Sequence, residues 1–158
     1  MNMEISIRPI KKEEISVVAS IYAEAFNKAD IGEKWIQEKA EEFMNWWFDN
    51  QSDLFFVAIH KNQLIGGIVA GIKPWCNGKN LTDSELFVHP DFQRQGVGKE
   101  LVKTFLKEAI RKYKIVEFEG LADKGHEFPL NWYRKLGIKE TNLVHIAGKT
   151  KEILKSLD

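Results

Sequence analysis

A chain of 158 residues has the usual size of one domain, and its 44% hydrophobic and 29% charged content is typical of a packed protein rather than a disordered one. Its 23 basic and 23 acidic side chains balance, so overall charge favours neither a nucleic acid nor an anionic membrane as a partner. Because no basic segment with an apolar run opens the sequence and no stretch suits a membrane span, we expect a cytoplasmic protein.

The first fifty residues predict one strand and two helices. Residues 5–9 alternate as in a short strand, and residues 12–26 carry apolar side chains at helical spacing. The side chains expected to face the core are Ile15, Val18, Ala19, Tyr22, Ala25 and Phe26. Residues 27–49 predict a second helix, with a looser helical period formed by Trp35, Phe43, Trp46 and Trp47.

The middle of the chain predicts a hairpin, a third strand and a long helix. Two β-rich runs at residues 54–59 and 64–72 flank a polar turn, and a further strand is expected at residues 81–88. Pro90 and Asp91 end that strand, and a helix follows two glycines. The residues expected to point inward from this helix are Leu101, Val102, Phe105, Leu106, Ala109 and Ile110.

The last third predicts alternating strands and a short helix. Residues 115–121 form a strand expected to be parallel to the previous one, because a full helix connects the two. Pro129 fits the first turn of a short helix that ends near Gly137. Residues 138–141 and 144–147 are then expected as two further strands that complete a mixed sheet.

The single cysteine, Cys76, lies between Trp75 and Asn77-Gly78, a composition typical of a turn between strands. One cysteine excludes an internal disulfide and a zinc site built of cysteines. We interpret Cys76 as a free thiol without function, the alternative being an activated nucleophile.

The segment from Glu85 to Lys99, ELFVHPDFQRQGVGK, carries the strongest functional signal. Gly96 and Gly98 allow a tight turn at a helix N-terminus, where unpaired amide groups and the helix dipole favour a phosphate or pyrophosphate. The spacing does not match the three glycines of a Rossmann fold, and no Lys-Ser or Lys-Thr pair follows as in a P-loop.

The pattern Gln-x-x-Gly-x-Gly at residues 93–98 instead resembles the pyrophosphate-binding motif of the GNAT acetyltransferases. The preceding Phe-Val-His-Pro and the following helix are similar to that family, and so is the later run Asn-Trp-Tyr-Arg-Lys-Leu-Gly-Ile at residues 131–138. The resemblance covers residues 5–149, with residues 27–50 matched only in general layout.

This resemblance implies a mixed α/β fold of the GNAT type: about six to seven mostly antiparallel strands, a splayed parallel pair and about four helices. It implies one domain over residues 1–158, with acceptor-binding helices at about 12–50 and a cofactor-binding core at about 81–137. The strand is expected to bulge at Phe87 and Val88, which would let its backbone pair with the pantetheine arm of coenzyme A.

The resemblance also implies that acetyl-CoA is the cosubstrate and that no metal is needed. The residues expected to bind it are Leu86, Phe87, Val88, Gln93, Arg94, Gln95, Gly96, Val97, Gly98, Lys99 and Asn131. For Asn131 a helix N-cap is an equal alternative.

For catalysis the resemblance implies direct attack of an amine on the thioester, with Tyr133 protonating the departing thiolate. A phenol suits this role because its ordinary pKa, near 10, lies close to that of a thiol. A core aromatic is the alternative interpretation of Tyr133. Glu85 is the leading general base, with an outward-facing solvated carboxylate as its alternative.

Other titratable residues near these motifs have weaker claims. Asp83 would share a face with Glu85 by strand alternation, as a substitute base or a contact for a cationic acceptor. His89 fits a turn residue before Pro90, and His126 is either a group near the acceptor or a loop histidine without function.

In the resembled family the first two helices form the acceptor pocket. Acidic side chains outnumber lysines in residues 27–50, and Trp35 and Trp46 add aromatic faces. Acid together with aromatic rings suits a cationic amine, the alternative being a solvated helix over a tryptophan-rich core.

The expected function is thus an acyltransferase acting on a primary amine of a small molecule or peptide. The competing interpretations are a non-catalytic module that senses acyl-CoA, a transferase for protein N-termini or lysines, and a transferase for longer acyl chains. The expected partner is the amine acceptor, without nucleic acid or membrane, and the family also allows a homodimer.

Overall fold

The computed structural model describes residues 3–157, which divide into two compact units, one ending at Gly120 and one beginning at Leu121. The first unit contains a five-stranded sheet in the order β1-β2-β3-β4-β5. The strands are β1 (Ser6–Pro9), β2 (Phe56–His60), β3 (Gln63–Trp75), β4 (Gly78–Val88) and β5 (Ile115–Phe118). The first four strands are antiparallel neighbours, and β4 and β5 are parallel.

Three α-helices belong to this unit: α1 (Ile15–Ala29), α2 (Gln37–Gln51) and α3 (Val97–Tyr113). The expected mixed α/β fold and parallel β4–β5 pair are confirmed, but the expected count of six to seven strands is wrong. The second unit contributes two more α-helices, α4 (Glu127–Lys135) and α5 (Thr150–Lys155), to the five that residues 3–157 form.

The sheet has an apolar core on each face because neighbouring residues of a strand point to opposite sides. Val57 and Val69 pack with α1 and α2, whereas their neighbours Phe56, Ile68 and Ala70 pack with α3. Residues 65–70 therefore form one continuous apolar run, since both faces of β3 are covered.

The predicted helix faces are largely confirmed. Five of the six α1 side chains expected in the core are buried, with Phe26 half-buried against them. In α3, Leu101, Phe105 and Ala109 are buried, but Ile110 is 52% exposed, contrary to the prediction. Ile110 directly follows Ala109 on the helix, about 100° around the axis, and lies on the solvent side of the buried row that Leu101, Phe105 and Ala109 form.

The two strands expected at residues 138–141 and 144–147 do not form. The hydroxyl of Thr141 accepts a hydrogen bond from the amide of Leu143 at 3.2 Å, and Glu140 pairs with Arg134 at 2.7 Å. Local alternation defines only which face of a strand would be buried, while a strand also needs a neighbouring edge to pair with. The charged tail that follows forms α5.

Gly66 of β3 lies under the backbone of β4. A Cβ at this position would be 2.6 Å from the carbonyl oxygen of Phe87, whereas a Cβ at Gly71 would meet its neighbours at 3.6 Å or more. We expect Gly66→Ala to lower the free energy of unfolding by about 1–3 kcal/mol through overpacking. Urea denaturation would measure this, and Gly71→Ala, the matched control in the same strand, should be close to wild type. Equal stability of the two variants would contradict the prediction.

Candidate active site

A β-bulge reshapes β4 before the functional segment. Val69 pairs with Glu85 and Gly71 pairs with Thr82, so Ala70 faces two residues, Asp83 and Ser84. Asp83 adopts a left-handed backbone conformation with φ of 52°. The bulge expected at Phe87 and Val88 is thus four residues earlier, and those two residues pair regularly with Gly67 and Gly66.

The parallel strands β4 and β5 are paired over only part of the length of β4. β5 pairs with β4 only at Lys79, Asn80 and Leu81, and no strand of residues 3–157 pairs with the same edge of β4 farther along. Along this edge residues 82–88 have no strand partner within the described chain, and the Val88 carbonyl accepts a side-chain hydrogen bond from Gln93; the expected pantetheine contact lies here.

The glycine-rich loop joins β4 to α3. Gly96 forms the N-cap of α3 with φ of 89°, and a Cβ added to it would meet no atom of the described chain within 4 Å. No side chain of residues 3–157 caps the first amides of α3, which include those of Val97, Gly98 and Lys99. Unpaired amides at the positive end of a 17-residue helix are groups that can bind an anion.

Two glutamines hold this loop in shape. The side-chain amide of Gln93 donates to the carbonyl of Val88 at 2.9 Å, and that of Gln95 donates to the carbonyl of Asp91 at 2.9 Å. Arg94 is exposed between them, with φ of 61°. Gln93 and Gln95 therefore support the loop, while Arg94 keeps its guanidinium available to an anion.

Glu85 lies on the face of β4 that α1 covers. The hydroxyl of Tyr22 donates a hydrogen bond to Glu85 Oε2 at 3.1 Å, and the Tyr22 side chain is only 2% exposed. Glu85 is consequently not the outward-facing solvated carboxylate that the sequence left open. The sequence pattern placed Tyr22 only in the core. A buried tyrosine hydroxyl needs a hydrogen-bond partner, and this requirement could have indicated that Tyr22 binds a polar group such as Glu85.

The surroundings of Glu85 disfavour its charge. The pKa of Glu85 is raised to about 7. Burial is the largest cause, the hydrogen bond from Tyr22 acts in the opposite direction and lowers the pKa, and the nearby charges of Glu33 and Asp83 raise it further. Burial and the Glu85 charge together raise the pKa of Tyr22, which therefore stays protonated and donates to the ionised carboxylate of Glu85. A carboxylate that titrates near neutral pH is suited to accept and release a proton.

Aromatic rings surround this pair. The centroid of the Tyr22 ring lies 4.4 Å from that of Phe26, 5.0 Å from that of Trp35 and 5.3 Å from that of Phe87. Phe43 lies at 5.6 Å from it and stacks on Trp35 at 5.3 Å. The structure thus brings the acceptor candidate Trp35 close to Glu85 and adds Phe43, which the sequence assigned to no site.

An open pocket of about 360 Å³ lies on the outer side of these rings. Its lining consists of Trp35, Lys39, Glu42, Phe43 and Trp46. Trp46, also an acceptor candidate, is 53% exposed, whereas its neighbour Trp47 is buried. Because an exposed tryptophan stands directly before a buried one, the large apolar residues of α2 do not follow a regular helical spacing in the sequence.

The remaining candidates have local partners. The His89 ring accepts a hydrogen bond from the amide of Asp91 at 3.2 Å and approaches Glu24 at 3.2 Å, in agreement with a turn position. His126 pairs with Asp123. Cys76 is exposed in the turn between β3 and β4. Within residues 3–157 no three His, Cys, Asp or Glu side chains cluster as metal ligands, and no helix is long and apolar enough to cross a membrane.

The second unit holds two candidates on α4. Phe128 has an extended backbone, so the regular helix begins at Pro129, and Asn131 lies in its first turn rather than at the cap. Asn131 Oδ1 is buried and has no hydrogen-bond donor within residues 3–157. Two residues later on α4, Tyr133 is half-buried and contacts the Trp132 ring at 5.4 Å.

Comparisons with known proteins agree with this architecture. The family described as "Acetyltransferase (GNAT) family" matches residues 16–138. A curated but uncharacterised N-acetyltransferase of Methanocaldococcus jannaschii is 25% identical over 148 residues. The alignment covers 88% of this chain and 62% of that relative, so the chain spans less than two thirds of its length.

Two solved structures share the fold. The PaiA N-acetyltransferase of Thermoplasma acidophilum, solved with coenzyme A, has a TM-score of 0.67 at 21% identity, covering 90% of this chain and 94% of its own. An aminoglycoside N-acetyltransferase, also in complex with coenzyme A, has a TM-score of 0.71 at 19% identity, covering 95% and 97%. With a sheet that opens beside an uncapped helix N-terminus and a family match over most of its length, the chain belongs to the GNAT family of acetyltransferases.

Proposed function

We propose that the protein transfers an acetyl group from acetyl-CoA to a primary amine of a small molecule by direct attack. The observation that carries this proposal is Glu85, a carboxylate with a pKa of about 7 held by Tyr22 on the strand that leads into the anion-binding loop. Such a base and the proposed pyrophosphate site beside it are two of the groups that the reaction would use.

The cofactor residues follow from the loop and the open strand edge. The amides of Gly96, Val97, Gly98 and Lys99 would hold the pyrophosphate, with Gln93 and Gln95 shaping the loop and Arg94 adding a charge-assisted contact. The backbone of Leu86, Phe87 and Val88 would pair with the pantetheine arm. Asn131, whose buried oxygen lacks a donor within residues 3–157, would accept a hydrogen bond from the cofactor. Acetyl-CoA supplies the acyl group as an activated thioester.

Glu85 would act as the general base. An amine attacks only when neutral, so its ammonium proton must first leave, and a carboxylate with a pKa of about 7 is ionised often enough at neutral pH to take it. The exposed Asp83, close enough to raise the pKa of Glu85, would attract the ammonium group. Trp35 and Trp46 would contact the body of the acceptor.

Tyr133 would act as the general acid. A nitrogen–carbon bond to the acetyl group forms as the carbon–sulfur bond breaks, and the electron pair of that bond leaves with sulfur. The hydroxyl proton of Tyr133 then passes to the thiolate. Of the two protons that the nitrogen loses, Glu85 takes the first from the ammonium group, and the second, released as the amide forms, restores the Tyr133 hydroxyl through solvent. The balance needs no metal and no covalent enzyme intermediate.

Calorimetry followed by an assay of thiol release tests this proposal. Acetyl-CoA and coenzyme A should bind with micromolar affinity and NADH should not, and a panel of amines should release thiol from acetyl-CoA. Tyr133→Phe should slow release by about 10²-fold or more without weakening coenzyme A binding. Tight binding without thiol release from any amine would favour the non-catalytic acyl-CoA module, and no binding would contradict the proposal altogether.

Tyr22→Phe tests the hydrogen bond to Glu85. Removing a bond that lowers the pKa of Glu85 should raise that pKa, by about 0.5–1 unit for a bond of about 1 kcal/mol. Because the base must be ionised, the acidic limb of kcat/KM should move to higher pH by the same amount. Phe26→Leu, which alters a ring next to Tyr22, is the control and should leave the limb in place. An unchanged limb in Tyr22→Phe would contradict the assignment.

A further inference from the structure

The pocket on α2 exposes aromatic surface that the fold does not use. Trp35 and Phe43 lie within 24° of parallel, and Phe43 and Trp46 lie within 8°. Trp46 leaves more than half of its side chain in solvent, which is costly for so large an apolar group. Rings of similar orientation beside an open volume of about 360 Å³ fit a planar apolar ligand.

The polar residues of the pocket neutralise each other. Lys39 Nζ and Glu42 Oε2 form an ion pair at 2.6 Å on its rim. The pair leaves the pocket without a net charge, so the pocket itself offers little to a polycation. The unbalanced negative charge lies instead toward Glu85, where Glu33 and Asp83 act on the same carboxylate.

Tyr22 connects the pocket with Glu85. Its ring contacts Trp35 edge-on at 5.0 Å and Phe43 at 5.6 Å, and its hydroxyl reaches Glu85. Glu33 also links the two places, because it accepts a hydrogen bond from the Trp35 indole at 2.7 Å and raises the pKa of Glu85. The buried Tyr22 ring therefore lies between the neutral aromatic pocket and the acidic group.

We infer that the acceptor is a primary amine joined by a short linker to an aromatic ring, and that Trp35, Phe43 and Trp46 bind this ring. The inference rests on the proposed function, since it places the amine at Glu85. The ring stacks on indole and phenyl faces while the ammonium group enters the negative region around Glu85, Glu33 and Asp83.

Binding of four amines tests the inference independently of turnover. Phenethylamine, cyclohexylethylamine, butylamine and spermidine are titrated by calorimetry into the protein, alone and saturated with coenzyme A. Phenethylamine should bind about tenfold more tightly than butylamine and more tightly than cyclohexylethylamine, because stacking adds to apolar burial. Equal affinity of the phenyl and cyclohexyl amines, or a preference for spermidine, would overturn the inference.

Two tryptophan variants provide the matched comparison. Trp46→Ala should weaken phenethylamine binding about tenfold and butylamine binding by a much smaller factor. Trp75→Ala removes a tryptophan of similar exposure, 56%, that contacts Lys73 instead of the pocket, and should affect neither amine. An unchanged phenethylamine affinity in Trp46→Ala would overturn the inference. Failure of the proposed function is a separate result, because it appears as absent thiol release with phenethylamine binding intact.

Discussion

Replacing Gly96 with glutamate is expected to abolish coenzyme A binding, with an increase in Kd of about 100-fold or more. Glycine tolerates the φ of 89° at this position, which other residues adopt at a cost. The added carboxylate would also stand where the first amides of α3 are proposed to hold the pyrophosphate, so like charges would repel. Calorimetric titration with coenzyme A measures the change.

Gly32→Glu is the matched control for this experiment. Gly32 has a φ of 85° and, like Gly96, no atom of the described chain within 4 Å of an added Cβ, so the variant introduces the same charge and similar backbone strain away from the loop. Its Kd for coenzyme A should remain close to wild type. If both variants lose binding to the same extent, backbone strain rather than the pyrophosphate site explains the loss.

Replacing Glu85 with glutamine is expected to lower kcat/KM by about 10²- to 10⁴-fold, the usual contribution of a general base. In the wild type the rate should rise with pH through about 7, because Glu85 must lose its proton before it can act. The variant should lack this limb. Thiol-release assays across about pH 5–9 measure both effects, and Asp83→Asn, the control at the alternative base, should retain a limb.

Glu85→Gln, which should lower activity, should raise the stability of the folded protein. The folded-state pKa of Glu85 is raised from its ordinary value of 4.5 to about 7, so its protonated form is favoured in the folded protein. The favourable contribution of protonated Glu85 to the free energy of unfolding is fully present below the ordinary pKa and is lost as pH rises through about 7. Glutamine stays neutral at every pH, and Glu85→Gln should therefore raise Tm relative to wild type more at about pH 8 than at about pH 5. A difference independent of pH would contradict the buried environment of Glu85.

Local patterns in the sequence were sufficient for most of the secondary structure. Helical spacing in α1 and α3 correctly indicated most of the side chains that enter the two cores, with Ile110 as an exception, and the two β-rich runs correctly located β2 and β3. The glycine-rich loop was equally predictable, since Gly96 and Gly98 prepare a helix N-terminus through their own backbone freedom. The failure at residues 138–147 has the opposite cause, because a strand depends on a partner edge.

The position of the bulge and the environment of Glu85 depended on the tertiary structure. Strand alternation places Asp83 and Glu85 on one face, but an inserted residue at Asp83–Ser84 breaks that relation, and nothing local in Thr-Asp-Ser-Glu specifies it. The Tyr22–Glu85 hydrogen bond joins residues 63 positions apart and exists only because α1 packs over β4.

What the sequence by itself determined is the glycine-rich turn at the start of α3 and the family, because both depend on residues close together in the chain whose backbone preferences are intrinsic. What only the tertiary structure decided is the chemistry of the carboxylate and the pocket beside it. Burial and distant charges shift the pKa of Glu85, and the packing of α2 exposes Trp46 while it buries Trp47. Both effects arise from desolvation, which depends on what surrounds a side chain in space rather than on what precedes it in the chain.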